Sequence, residues 1–481
     1  MNESRGVGKP RFAILTGFQS CGYADIEEKI ENRPSTLYYG ASTTKAFTAA
    51  AFASLAEDST QDVPLQWGTK LRDIDPENFR LADQELTERV TVEDALSHCT
   101  GMPSHENSLL VEFNPTEEDA ESYLKKVGAL PTGDLSKGQH RYTNFMYVVM
   151  SVLFYILTGR RLEQFLRETI WDKLEMNHTS FDPDKVSSSS EILSTGYTWS
   201  DTYQSYKPLP KRKYSGLEGS CAIVSNVLDY SKWVHCLIQQ GGPISVAGHQ
   251  ALTRPRAIKS CKFGSWAGVT SRGYALGWST VDYKGHHVAY HTGTLPGFSS
   301  LVMFSVSLKW GVVAFSNTDQ RGLDLSSAIC WGLLDDLLGA PHEARSYWKR
   351  NMVRRASSQP RTKSTRALFP ELPDIRAPTS FCIEGYLGDY EHAAYGTYHV
   401  RSRGNVLFID ALHLPCRSVY TFEHVHGDWF LVKQHQVDWD RTKLLKANFH
   451  VEDRKVTSLG IAFNETMVDD MILFARVSRR K

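Results

Sequence analysis

Gly40-Ala41-Ser42-Thr43-Thr44-Lys45-Ala46-Phe47-Thr48-Ala49-Ala50-Ala51-Phe52-Ala53 is the stretch on which the reading of this chain turns. Its run of alanines predicts a helix packed closely by its neighbours. Ser42 and Lys45 stand at i and i+3, on one face of that helix. A serine hydroxyl is a poor nucleophile until something removes its proton. If Ser42 opens the helix, its hydroxyl lies in the positive end of the helix dipole. Lys45, walled by Ala41, Ala46 and Phe47, is expected to lose hydration, which lowers an amine's pKa and makes it a workable base. Serine and lysine are common enough for this spacing to arise by chance, so the motif needs company.

Two further elements supply it. Tyr142-Thr143-Asn144 comes just before the apolar run Phe145 to Leu157, where a loop would present both polar side chains to a cleft. A tyrosinate beside a lysine ammonium can act as general base, and Asn144 offers an amide to hold substrate or Lys45. His291-Thr292-Gly293 closes a strand and precedes Thr294-Leu295-Pro296-Gly297. Gly293 is expected to let a substrate lie against the strand edge, with the amides of Thr294 and Ser42 paired as an oxyanion hole.

The rest of the chain sets the frame. A length of 481 residues exceeds one core. Lys plus Arg equals Asp plus Glu at 54 each, which favours neither nucleic acid nor an anionic membrane as partner. The eight cysteines are scattered without a CxxC pair, as suits free thiols in a reducing compartment. MNESRGVGKPRF has no signal-peptide core, and Phe145 to Leu157 falls short of the roughly 20 apolar residues a bilayer needs. A cytoplasmic protein is expected. His424-Val425-His426-Gly427-Asp428 mimics half of a zinc signature, but Trp429 follows where a histidine ligand would stand, and a hairpin is expected there. No metal or cofactor is called for.

Residues 12 to 26 read as a hairpin, and about 60 to 235 as mainly helical, with pieces at Val92 to Ser97 and Leu162 to Leu174. Strands are expected at Tyr274 to Val281, His287 to His291, Ser299 to Ser305 and Gly311 to Ser316, then a helix from Leu325 to Leu338. Residues 341 to 380 read as a basic linker: eight Lys/Arg and no acid lie between Arg345 and Arg366, the pattern of a solvated tether. From 381 to 481, hairpin signals such as Tyr395 to Val400 with Asn405 to Ile409 fit a small antiparallel barrel or sandwich. The expected class is α+β: an antiparallel sheet flanked by helices with an inserted all-helical domain over residues 1–340, then a small all-β domain.

In this order the three elements resemble those of the serine β-lactamase and penicillin-binding family, in particular the branch of class C β-lactamases, D-Ala-D-Ala carboxypeptidases, esterases and fungal transesterases. Val90-Thr91-Val92-Glu93-Asp94-Ala95-Leu96-Ser97-His98-Cys99-Thr100-Gly101-Met102-Pro103 and Phe315-Ser316-Asn317-Thr318 add to the likeness, which spans residues 12 to 339. The resemblance implies that Ser42 is acylated and that Lys45 and Tyr142 share the base work. It further implies that Asn144, His291, Thr292 and Gly293 contact substrate and that the amides of Ser42 and Thr294 hold the oxyanion. The last 100 residues resemble a lipocalin-like appendage.

The chain also departs from the family. Members normally open with a helix beside the last one, yet only 41 residues precede Ser42, and Gly6, Gly8 and Pro10 argue against a helix in the first ten. Either that layer is absent or the sequence lacks its true start. His291 stands where true β-lactamases carry lysine, which removes a permanent positive charge and favours ester or acyl-transfer chemistry. The expectation is an esterase or an acyltransferase/thioesterase of secondary metabolism. Its partners would be a small-molecule acyl donor and acceptor, with an acyl-carrier protein as a further candidate. Peptidase, amidase or β-lactamase activity and a non-catalytic binding homologue are the rivals.

Overall fold

A computed structural model describes residues 17–57, 65–108, 117–132, 139–187, 192–214, 216–259, 268–341, 345, 365–414, 416–463 and 471–477. Four helices and a sheet position the site. The helices are α1 (Thr44–Ala56), α2 (Asn144–Thr158), α3 (Val227–Gln239) and α4 (Gln320–Leu337). The sheet runs in chain order through six antiparallel strands: β1 (Ala257–Ile258), β2 (Val269–Tyr274), β3 (Ser279–Tyr283), β4 (His286–Leu295), β5 (Phe298–Ser305) and β6 (Trp310–Ser316).

Alternation along the strands sorts side chains between two layers. Val288 and Tyr290 of β4 and Leu301 and Met303 of β5 meet Cys330, Trp331 and Leu334 of α4. Ala289, Val302 and Phe304 point the other way, into the larger core shared with α1 and α3. Eleven of the 13 residues of α1 are buried, so this helix has no solvent face to give it amphipathic character. Phe47 stacks on Trp233 of α3 at 4.7 Å, and Phe52 meets Phe154 of α2 edge-on at 5.7 Å. The alanines between these rings are what allow such close neighbours on every side.

Several expectations change. The strand expected over Tyr274 to Val281 is two strands joined by a turn, with Gly277 at φ +74°. A side chain at Gly277 would come within 2.6 Å of the Lys45 carbonyl, so the turn is also where the sheet seats against α1. The span expected to be mainly helical also holds a hairpin, Gly196–Ser200 with Ser205–Leu209. The last helix begins at Gln320, earlier than Leu325, because the Asp319 side chain caps it. Of the expected N-terminal hairpin, the described part is Tyr23–Asp25, and its partner is Ile30–Glu31.

The C-terminal strands close into a barrel: β7 (Gly388–His392), β8 (Gly396–Arg403), β9 (Val406–Ala411), β10 (Ser418–His426), β11 (Trp429–Gln436), β12 (Arg441–Glu452), β13 (Lys455–Ala462) and β14 (Ile472–Val477). Asp389 pairs with Val477, which completes the circle and leaves no open edge. Most of the basic run, residues 346–364, lies outside the described residues. Residues 365–380, assigned to the linker from sequence, are held against the barrel: Phe369 packs with Val425 and Leu431, and the Ala377 amide donates to His426 Nδ1 at 2.9 Å. Asp428 accepts from the Ser380 amide and hydroxyl, so the HxHxD look-alike ties this segment down. Among the described residues no group of three or more metal-binding side chains converges, and no single helix is long and apolar enough to cross a membrane. The seven described cysteines are free thiols, and Cys261 lies outside the described residues.

Candidate active site

Ser42 sits in a tight turn, Ala41–Thr43, that runs directly into α1. Ala41 adopts φ +50°, a left-handed conformation that costs a non-glycine residue free energy and persists only when its surroundings impose it. Here they do. The Thr43 hydroxyl donates to the Gly40 carbonyl at 2.8 Å, the Thr44 hydroxyl donates to the Ala41 carbonyl at 2.6 Å, and the Ser300 hydroxyl of β5 donates to the Gly40 carbonyl at 2.6 Å.

Lys45 lies one turn further on, fully buried. Its Nζ is 3.1 Å from Ser42 Oγ, 2.6 Å from Asn144 Oδ1 and 2.9 Å from the Ser220 carbonyl. Burial lowers its pKa from the ordinary 10.5 to about 8, with Cys221 and Glu106 pulling weakly the other way. At pH 7 that shift raises the neutral fraction of the amine by about 300-fold.

Tyr142 and Asn144 come from the segment that opens α2, as their position before the apolar run predicts. The Tyr142 hydroxyl faces Ser42, and Lys45 Nζ stands 5.1 Å from the centre of its ring and 5.3 Å from that of Tyr147. Tyr142 is 36% exposed, and desolvation of its phenol raises that group's pKa, which favours the protonated form.

His291, Thr292 and Gly293 lie on β4 where it outruns its neighbour. Pairing with β3 ends at Tyr290 opposite Ser279, while pairing with β5 continues to Leu295. Alternation puts His291 and Gly293 on the face toward α1, with Thr292 and Thr294 on the other. His291 is 4% exposed and both ring nitrogens are engaged: Nδ1 donates to the Thr292 carbonyl at 2.8 Å and Nε2 accepts from the Tyr274 hydroxyl at 2.9 Å. Burial holds its pKa down at about 3, so the ring is neutral. The imidazole is thus held in place by its own strand and by Tyr274 of β2. At Gly293 a Cβ would fall 2.3 Å from the Gly40 carbonyl and 2.3 Å from Ser300 Oγ, so the missing side chain admits the serine turn.

Sequence reasoning missed three contributors. Glu106 accepts from Asn144 Nδ2 through both carboxylate oxygens, at 2.8 and 2.9 Å. The Ser220 carbonyl holds Lys45 from a loop 175 residues away in sequence. Tyr274 supports His291. His98 accepts from the Thr143 amide at 3.3 Å, and its ring lies 4.2 Å from that of Tyr142.

Comparison with known proteins bears on the family and the fold. Residues 15–328 match the beta-lactamase family, and residues 373–476 match a domain of unknown function, DUF3471. An unguisins hydrolase from Aspergillus campestris is 28% identical over 445 residues, covering 91% of this chain and 82% of its own. A second unguisins hydrolase, from Aspergillus violaceofuscus, is 29% identical, with 86% and 77% covered. Among solved structures, the octameric penicillin-binding protein homologue from Pyrococcus abyssi superposes with a TM-score of 0.58 at 19% identity, over 94% of this chain and 91% of that one.

Proposed function

The chain belongs to the beta-lactamase family and is a serine hydrolase of that fold, and from this premise we propose that it cleaves small-molecule acyl substrates through an acyl-enzyme on Ser42. Neutral Lys45 takes the Ser42 proton as Oγ attacks an ester, thioester or amide carbonyl. The developing oxyanion is held by the backbone N–H groups of Ser42 and Thr294. Tyr142 hands its phenolic proton to the leaving group and recovers one from the Lys45 ammonium. Water then attacks the acyl-enzyme, gives its proton back through the same pair, and frees the acid and Ser42.

One observation carries this reading: an amine sealed from solvent, with a pKa of about 8, lies 3.1 Å from the serine hydroxyl. The neutral His291 leaves no permanent cation from that position of the strand, which supports uncharged acyl donors over substrates ending in a free carboxylate. The names of the two fungal relatives support water as acceptor. Transfer to an alcohol or amine is the competing fate of the same acyl-enzyme.

A fluorophosphonate probe followed by peptide mass spectrometry is expected to label Ser42 in the folded protein and to label nothing in Ser42→Ala. An unlabelled native chain would overturn the reading in favour of a binding homologue. Aryl esters and acyl thioesters, including an acyl-carrier thioester, are then offered with and without added alcohols. Free acid as the product supports hydrolysis, and new esters as the main product overturn it in favour of acyl transfer.

A further inference from the structure

Glu106 lies in a short segment gripped from behind by the barrel. His105 Nε2 is 2.9 Å from the Pro131 carbonyl, which can only accept, so that nitrogen carries the proton. His105 Nδ1 is then an acceptor, and the hydroxyl of Tyr395, from the turn joining β7 and β8, donates to it at 2.9 Å. Burial keeps this ring neutral, with a pKa of about 4, and raises that of the Tyr395 phenol, so both partners stay in the forms the bond requires. Two residues on, Asn107 Oδ1 accepts at 3.1 Å from Nε2 of Gln434, a fully buried residue of β11. The Ser108 hydroxyl closes the segment on the His105 carbonyl at 2.7 Å. Between these two barrel contacts, Glu106 turns to the active site and binds Asn144 Nδ2.

That contact fixes an orientation. A side-chain amide can present either end to a neighbour, and only its oxygen can accept from an ammonium. With Nδ2 committed to the Glu106 carboxylate, Oδ1 must face Lys45 Nζ, as observed at 2.6 Å. We propose that the C-terminal barrel is a positioning element for the reacting lysine: Tyr395 and Gln434 clamp residues 105–107, and Glu106 between them holds Asn144 against Lys45. This deepens the proposed function and rests on Ser42 and Lys45 being the reacting pair. Glu106 is a positioning residue that acts through Asn144. The titratable groups around Lys45 are Tyr142, Tyr147, Cys221, His98 and His291, and among those acting on its charge Glu106 is the carboxylate.

The test uses the full chain and four variants: Glu106→Ala, Glu106→Gln, the barrel pair Tyr395→Phe/Asn107→Ala, which removes both contacts between barrel and segment, and Glu106→Ala combined with that pair. Three quantities are read: the rate of Ser42 acylation by the fluorophosphonate, the thermal midpoint, and the titration of Lys45 followed by NMR on protein with 13Cε-labelled lysine. Loss of positioning in Glu106→Ala is expected to slow acylation by about 10- to 100-fold. The barrel pair slows it about tenfold, and adding the pair to Glu106→Ala changes little, because all act on one contact. Both Glu106→Ala and the barrel pair move the Lys45 titration, and Glu106→Gln, which keeps an acceptor, restores part of the lost rate.

Rates that multiply across the triple variant would overturn the proposal. So would a barrel pair that lowers only the thermal midpoint, or a Lys45 titration that stays put. If native Ser42 is not acylated at all, the proposed function fails, and the lysine titration alone still decides whether the clamp exists.

Discussion

Both halves of this molecule gather tyrosines, and the first sets them beside a serine hydroxyl and a buried amine. In the first domain Tyr142, Tyr147 and Tyr274 converge with His98 and His291 around an amine and a serine hydroxyl. In the barrel Tyr390, Tyr398 and Tyr420 fill the interior with Phe449 and Phe474. Their hydroxyls find one another, Gln434 or backbone: Tyr398 lies 3.4 Å from Tyr420, Gln434 Nε2 donates to Tyr420 at 3.1 Å, and Tyr390 donates to the Tyr386 carbonyl at 2.8 Å. Burial raises the phenol pKa in both places. A perturbed phenol is thus no sign of chemistry by itself. What separates the halves is Lys45, whose pKa moves down while that of its neighbour Tyr142 moves up, as the proposed roles of proton acceptor and donor require.

Removing the base breaks this contrast most severely. Lys45→Met leaves the fold close to native, since methionine suits a buried site of similar length, and should lower kcat for an aryl ester by about 10³-fold or more. A variant within tenfold of the native rate would mean that Lys45 is not the base.

Gly293→Ala attacks the geometry and leaves the chemistry in place. The added methyl cannot share space with the Gly40 carbonyl and Ser300 Oγ, so β4 and the serine turn must part. Overpacking of this kind costs about 1–3 kcal/mol, and the displaced nucleophile should lose about 100-fold in kcat/KM. Unfolding curves and steady-state kinetics on the same sample separate the two losses.

The pH dependence sharpens the assignment of roles. With the unprotonated amine as the proposed base, kcat/KM should climb about tenfold per pH unit below 8 and level off above it. The direction follows from a lysine with a lowered pKa. A base carried by Tyr142, whose pKa is raised, would keep the profile climbing well past that point.

The smallest effect is expected in the barrel. Tyr398→Phe deletes a hydroxyl whose hydrogen-bond partner among the described residues is Tyr420, at a cost of about 1 kcal/mol in stability or less, with the rate of ester hydrolysis unchanged. A large fall in rate would mean that the barrel interior takes part in the reaction, and the contrast drawn between the halves would fail.

Much of the site was legible because it is local. Ser42 and Lys45 are one helical turn apart, Tyr142 and Asn144 flank a helix start, and His291 and Gly293 are two residues apart on a strand, so spacing alone puts each pair on a common face. The barrel hairpins were legible for the same reason: turn residues and alternation act over a few positions. Spacing could say that Gly293 matters. It could not say that the space beside Gly293 is filled by the Gly40 carbonyl, because that approach is set by how β5 and the serine turn pack.

The sequence by itself determined the three motif elements, the buried helices and a separate all-β unit at the C-terminus, since each follows from side-chain period and size. Only the tertiary structure decided which groups are desolvated and which polar atoms are already engaged. Glu106 reaches Asn144 across 38 residues, and Tyr395 reaches His105 across 290. Contacts of that length depend on the closure of the whole chain, and no periodicity records them. The lowered pKa of Lys45 belongs with them, because the strength of a base in a protein interior depends on how much water the surrounding fold has excluded.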